Sequence, residues 1–214
     1  MSVLILCLLS YPWPLPASGV PYPVTGVFGE YREGPPPHFH DGTDLAAPDG
    51  TPVLAVQGGT VLGVGSDWIR IGRFAYVHVV PDPFLAVGDV VQTGDTVAVI
   101  QAGYGHVHFK DGGGAYSSWT RNALDPQDGL SPYTDPHGVR IHRVRIFRDN
   151  DPGTLLDSTA VWGPVDLEAY ATDSSGTHIY PTTVNNGIYR IGWALYTGDT
   201  AQVLRPFTIR FTFD

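Results

Sequence analysis

LAVGDVVQTGDTVAVI, residues 85–100, sets the fold class. Two Gly-Asp pairs, Gly88-Asp89 and Gly94-Asp95, cut a valine-rich run into short pieces. β-Branched side chains suit a pleated, half-buried surface, and Gly-Asp supplies tight turns between such pieces. The same texture extends in both directions. TPVLAV (51–56) and TVLGVG (60–65) flank Gly58-Gly59, which reads as a hairpin turn. WIRI (68–71), FAYVHVV (74–80) and GHVHF (105–109) read as further strands, and residues 110–138 as loop. With 26 glycines, 19 prolines and no long helical pattern, the expectation is an all-β chain built around a small antiparallel barrel or sandwich.

A second β unit is expected from about residue 139. VRIHRVRIF (139–147) alternates basic and apolar residues, the period of a half-buried strand. VDLEAYAT (165–172), NGIYRIGWALY (186–196) and PFTIRFTF (206–213) follow. The expected organisation is a first domain over 20–138 and a small immunoglobulin-like β-sandwich over 139–214. Residues 1–19 form a candidate export signal. There the apolar run VLILCLL (3–9) holds the single cysteine, Cys7, and Ala17-Ser18-Gly19 follows. No Lys or Arg precedes the run, so an N-terminal strand is the other reading. Seven residues cannot span a membrane as a helix. With the leader removed, no cysteine is left for a disulfide.

The formal charge is −9 with one lysine, Lys110. Nucleic-acid binding needs clustered Lys and Arg, so that partner class is excluded. Arg140, Arg143, Arg145 and Arg148 read as a solvated strand face.

Histidines and one aspartate concentrate in three places. His106 and His108 stand two apart in a strand, so both face one side while Val107 faces the other. His40 and Asp44 are four apart across Gly42, which argues for a turn that brings both side chains to one ion. Imidazole nitrogen and carboxylate oxygen are ordinary zinc donors at about 2.0–2.2 Å. Asp44 opens an apolar stretch, where an unpaired charge is costly. His38 competes with His40 for the first position. The spacing favours His40, leaves His38 at the rim and turns Phe39 inward. His78 adds a fifth candidate. Asp41 and Asp49 read as turn caps, and His137, His142 and His178 as surface residues. Tyr104 and Arg32 read equally as cleft wall or as turn aromatic and ion-pair partner.

HFHDGTDLAAPDGTPVLAVQGGTV, AYVHV, VGDVVQTGDTVAVI and GHVHF occur in the order found in the LytM/lysostaphin-like zinc metallopeptidases, peptidase family M twenty-three, and the chain resembles that family over about residues 22–135. FGEYR (28–32) resembles the entry segment of one branch. The resemblance implies a zinc-dependent endopeptidase acting on peptidoglycan cross-links or stem peptides. It implies an exported protein of the periplasm, cell envelope or extracellular space. Position by position, His40, Asp44 and His108 match the zinc ligands, and His78 and His106 the catalytic pair. The other expectation is a non-catalytic wall-binding or regulatory module of the same fold. SDWIRIGRF (66–74) is shorter than the family's usual hairpin, AGYG (102–105) is a brief turn, and Lys110 stands where an acidic residue is common. VGDVVQTGDTVAVI also resembles biotinyl and lipoyl carrier hairpins, but no lysine occupies its turn.

Overall fold

The computed structural model describes residues 10–17, 22–112, 120–125, 128–133, 137–157, 159, 161–178, 183–185 and 190–212. All regular structure among them is β. The strands are β1 (Val24–Gly26), β2 (Tyr31–Arg32), β3 (His38–Phe39), β4 (Thr43–Ala46), β5 (Pro52–Leu54), β6 (Gly59–Val64) and β7 (Trp68–Ile71). Next come β8 (Phe74–Val77), β9 (Val79–Pro81), β10 (Val90–Val91), β11 (Thr96–Ile100) and β12 (His106–Asp111). The remainder are β13 (Arg140–Arg148), β14 (Asp151–Leu155), β15 (Val165–Thr172), β16 (Ser174–His178), β17 (Thr183–Asn185), β18 (Arg190–Tyr196) and β19 (Val203–Thr212).

A seven-stranded sheet runs β1-β4-β12-β8-β7-β6-β10, and a three-stranded sheet runs β5-β11-β9. Val53, Val61, Ile69, Phe74, Tyr76, Val79, Val97, Ile100, Val107 and Phe109 are buried in one core contributed by both sheets. Phe74 stacks on Phe109 at 5.7 Å, and Tyr76 tilts against it at 5.4 Å. The Tyr76 hydroxyl accepts the Val56 N–H at 2.9 Å, so this buried ring leaves no polar atom unmet.

The expected hairpin at Gly58-Gly59 does not form. β5 pairs with β11, and β6 pairs with β7 and β10, so the two flanking segments belong to different sheets. Two-residue hairpin turns need a positive φ, and neither glycine has one. Gly58 instead serves close approach: an added Cβ would stand 3.1 Å from the Val91 carbonyl oxygen. FAYVHVV also crosses between sheets. It breaks into β8 and β9 at His78, whose φ of 63° lies in the left-handed region.

Residues 10–17, inside the candidate leader, take part in this core. Tyr11 and Leu15 are buried, and the Tyr11 hydroxyl donates to Asp111 Oδ2 at 3.0 Å. The Leu54 N–H donates to the Pro14 carbonyl at 2.8 Å. Cys7 and the run 3–9 lie outside the described residues.

From Arg140 onward the strands pair only among themselves, as β14-β13-β15, β16-β17 and β18-β19 among the described residues. β15 covers the expected span, and β18 and β19 overlap theirs; residues 186–189 are not described. The half-buried alternation expected of β13 is not met, since Ile141 is 64% and Val144 56% exposed. An irregularity between Ile141 and Arg143 in the pairing with β15 breaks the two-residue period there. Among the described residues, no helix is long and apolar enough to cross a membrane.

Candidate metal centre

β12 is the middle of the site. It lies between β4 and β8, and His108 sits directly opposite Asp44 across the β4 ladder. Strand alternation sends Val107 and Phe109 into the core and turns His106 and His108 to the other face. Leu45 likewise points to the core, which aims Asp44 at His108. His40 arrives from the loop before β4. Its backbone is clamped to the Gly29–Glu30 turn: the His40 N–H donates to the Glu30 carbonyl at 2.7 Å, and the Gly29 N–H donates to His40 O at 2.8 Å.

Three donor atoms converge. His40 Nε2 is 2.9 Å from His108 Nδ1, which is 2.8 Å from Asp44 Oδ1, and Asp44 Oδ1 is 3.2 Å from His40 Nε2. Donors held about 2.0–2.2 Å from a tetrahedral zinc stand about 3.3 Å from one another, so this triangle is close to the required size. His40, Asp44 and His108 are all buried.

The partners of the outer atoms set the protonation. His40 Nδ1 donates to the Val27 carbonyl at 2.8 Å, leaving a lone pair on Nε2. His108 Nε2 lies 3.2 Å from Asp41 Oδ1, so a neutral His108 that donates there keeps its lone pair on Nδ1. Without a metal, protons bridge His40 Nε2, His108 Nδ1 and Asp44 Oδ1; with those protons released, two imidazole lone pairs and a carboxylate oxygen point at one buried spot, which suits a cation. An N₂O donor set containing two imidazoles fits zinc better than calcium or magnesium. Among the described residues, no other group of three such side chains converges.

Outer contacts hold each donor. Asp44 Oδ2 accepts from Arg32 Nη2 at 2.7 Å, which resolves Arg32 as an ion-pair partner of the centre. Burial alone would raise the Asp44 carboxyl. Hydrogen bonds from His108 and His40 instead hold it far below the usual carboxylate range. Burial also favours the neutral form of Asp41, but its bonds to His108 and Lys110 keep it ionised. Asp41 is therefore more than the turn cap expected of it. Asp49 does cap a turn, though a distant one: its carboxylate accepts the N–H groups of Gly103 and Gly105 at 2.8 and 2.9 Å. That fixes the loop leading into His106. Phe39 is 61% exposed, contrary to the inward orientation expected, and packs edge-on against Tyr31 at 5.7 Å. The short β2–β3 pairing puts both rings on the outside and leaves the interior to His40.

His106 and His78 stand beside the donors. His106 Nε2 is 3.8 Å from Asp44 Oδ1. His106 Nδ1 donates to the Tyr104 carbonyl at 2.7 Å, so in the neutral imidazole the lone pair is on Nε2. The His78 ring lies 5.0 Å from His106 and 5.9 Å from His108, and stacks on Tyr104 at 4.2 Å. Tyr104 is therefore a wall of the site. Burial and the neighbouring His106 and His108 push the His78 imidazole down to about 4. His38 is exposed and bonded to the Pro36 carbonyl, and His142 is bonded to Thr172, so neither joins the centre. His137 is exposed, and the side chain of His178 is not described.

Two tests arise from these contacts. An added Cβ at Gly42 would stand 2.6 Å from the Phe109 carbonyl oxygen and 2.7 Å from His108 Cε1. Gly42→Ala is expected to displace His108, cost about 1–3 kcal/mol of stability and weaken zinc binding at least tenfold. Gly138→Ala, where a Cβ meets nothing within 4 Å, is the neutral control. Chelator-treated melts and zinc titration check both. The second test is pH. The His78 imidazole has a lower pKa folded than unfolded, so the unfolded chain binds more protons between about 6.5 and 4. The stability from neutral His78 is present above 6.5 and is lost as pH falls toward 4. In metal-free protein, His78→Asn should flatten that part of the curve. The losses due to Asp41 and Asp44 come lower, below their unfolded value of 3.8.

No family model and no curated protein match the sequence. Solved structures do. One is Csd3 from Helicobacter pylori, 21% identical, with the match covering 48% of this chain and 31% of that one at a TM-score of 0.40. Another is the catalytic domain of the antimicrobial peptidase lysostaphin from Staphylococcus simulans, 23% identical over 48% of this chain and 90% of that one, TM-score 0.42. Lysostaphin itself matches over 88% of this chain and 95% of its own at 16% identity, TM-score 0.40. The chain thus spans about a third of the length of Csd3.

Proposed function

We propose that this chain is a zinc-dependent endopeptidase that hydrolyses peptide bonds in peptidoglycan cross-links or stem peptides. The observation that carries the enzyme reading is the convergence of His40 Nε2, Asp44 Oδ1 and His108 Nδ1 beside His106, whose Nδ1 meets the Tyr104 carbonyl. The wall-peptide substrate rests on the resemblance of the motifs to lysostaphin-like peptidases. In this reading the protein is exported, residues 20–138 form the catalytic domain, and residues 139–214 form a separate β-sandwich.

His40, Asp44 and His108 would hold the metal. Zinc, when bound there, would supply a Lewis acid and lower the pKa of a bound water to about 7. His106 acts as general base. Its Nε2 takes the proton of the attacking water and later passes it to the departing amine, so the C–N bond breaks with no net proton gained or lost. The Tyr104 carbonyl keeps Nδ1 protonated throughout. His78 stabilises the developing oxyanion by donating a hydrogen bond. Tyr104 and the Asp49-capped loop hold the two rings in place.

Purified peptidoglycan incubated with the protein, with and without chelator, tests this. Cleaved cross-links identified by mass and lost on chelation are the expected result. Zinc bound without any cleavage would point to a non-catalytic wall-binding or regulatory module. Cleavage of protein substrates alone would point to a general peptidase.

A further inference from the structure

We propose that Asp41, braced by Lys110, is a positioning residue for the metal, holding the His108 imidazole with Nδ1 rather than Nε2 turned toward His40 and Asp44. The proposal rests on the zinc reading above. Either nitrogen of a histidine can bind a metal, and the choice falls to the partner of the other one. For His108 that partner is Asp41 Oδ1, at 3.2 Å from Nε2. The second oxygen of the same carboxylate meets Lys110 Nζ at 2.5 Å.

Lys110 is the unusual member. It follows His106 and His108 at two-residue spacing, so all three share one face of β12. It is 1% exposed. A buried ammonium in a β-sheet is expensive, and a well-packed apolar residue would do better for stability alone. Its position gives it another use. Asp41 belongs to the loop that carries His40 and leads to Asp44, whereas Lys110 belongs to the strand that carries His108. The Asp41–Lys110 pair therefore ties the part of the chain bearing two donors to the part bearing the third. One carboxylate orients the ring of His108 and also fastens the loop over it. Gly42, next to Asp41, permits that closeness, because the His108 ring occupies the space a Cβ would need.

The variant D41A/K110M removes both charges together and strands no buried ammonium. Zinc Kd by competition with a chromophoric chelator is expected to rise about 10–100-fold. The visible band of the cobalt-loaded protein should shift, while the metal-free melting midpoint stays near that of the parent. D41N/K110M, which restores an uncharged acceptor for Nε2, should recover part of the affinity. K110M alone leaves the half-exposed Asp41 to turn toward solvent and should weaken zinc about tenfold. This variant keeps the test alive if D41A/K110M does not fold. Parental Kd and cobalt spectrum in folded D41A/K110M, or parental Kd in K110M, would overturn the proposal alone. A parent protein that binds no zinc would overturn the metal reading and this proposal with it.

Discussion

Asp44→Ala is expected to strip the protein of zinc. Asp44 is the one anion among the three converging donors, and its Oδ1 is within 3.2 Å of both imidazole donors. Without it, two neutral imidazoles remain, too few for a closed site. The loss in affinity should exceed the roughly 10–100-fold that follows removal of an outer partner. The effect on the metal-free fold is smaller. Arg32 loses its 2.7 Å contact, but its side chain is 36% exposed and can rehydrate. The cost should stay below the roughly 3–5 kcal/mol of a fully buried pair broken on one side. Asp44→Asn separates shape from charge and should fall between parent and alanine variant. Zinc content after dialysis against a weak chelator, with melting in strong chelator, reads both effects. A full equivalent of zinc retained at parental affinity in Asp44→Ala would place the metal elsewhere.

His106→Ala and His78→Asn form the second test, and here the metal should stay. His106→Ala removes the base, for which a turnover loss of about 10²–10⁴ is ordinary. His78→Asn is chosen over alanine for a backbone reason. His78 has a φ of 63°, and asparagine tolerates the left-handed region far better than most residues. The variant should fold, keep its zinc and lose about 10²–10³ in kcat if the imidazole steadies the oxyanion. Turnover on wall fragments and zinc stoichiometry, measured on the same preparations, read the result. A zinc-free His78 variant would move that residue into the metal shell.

The sequence discloses those parts of the centre that follow local rules. His106 and His108 share a face because strands alternate, and Val107 is buried between them as expected. His40 and Asp44 converge because Gly42 allows a bend. What local rules cannot reveal are the partners supplied from far along the chain. Asp41 looks like a turn cap until Lys110, 69 residues away, meets it. Tyr11, within the stretch read as a candidate leader, donates a hydrogen bond from its hydroxyl to Asp111, 100 residues on. Gly58-Gly59 misleads for a related reason. The pair has hairpin composition, but the better hydrogen-bonding partner for β5 is β11, and tertiary pairing overrides the turn signal. Phe39 misleads because its partner is Tyr31, paired with it across a two-residue strand with both rings on the outer face. Lys110 carried a hint: the sole lysine of an acidic chain, directly behind a motif, invites the question of what anion it meets.

The ladder between β4 and β12 has one more implication. Asp44 and His108 are matched partners in a continuous antiparallel register that also pairs His106 with Ala46 and Phe109 with Thr43. A slip of one place would send both histidines into the hydrophobic interior and bring Val107 and Phe109 out to water. Misalignment is therefore penalised by packing, so a folded molecule with this interior in place has Asp44 and His108 in phase.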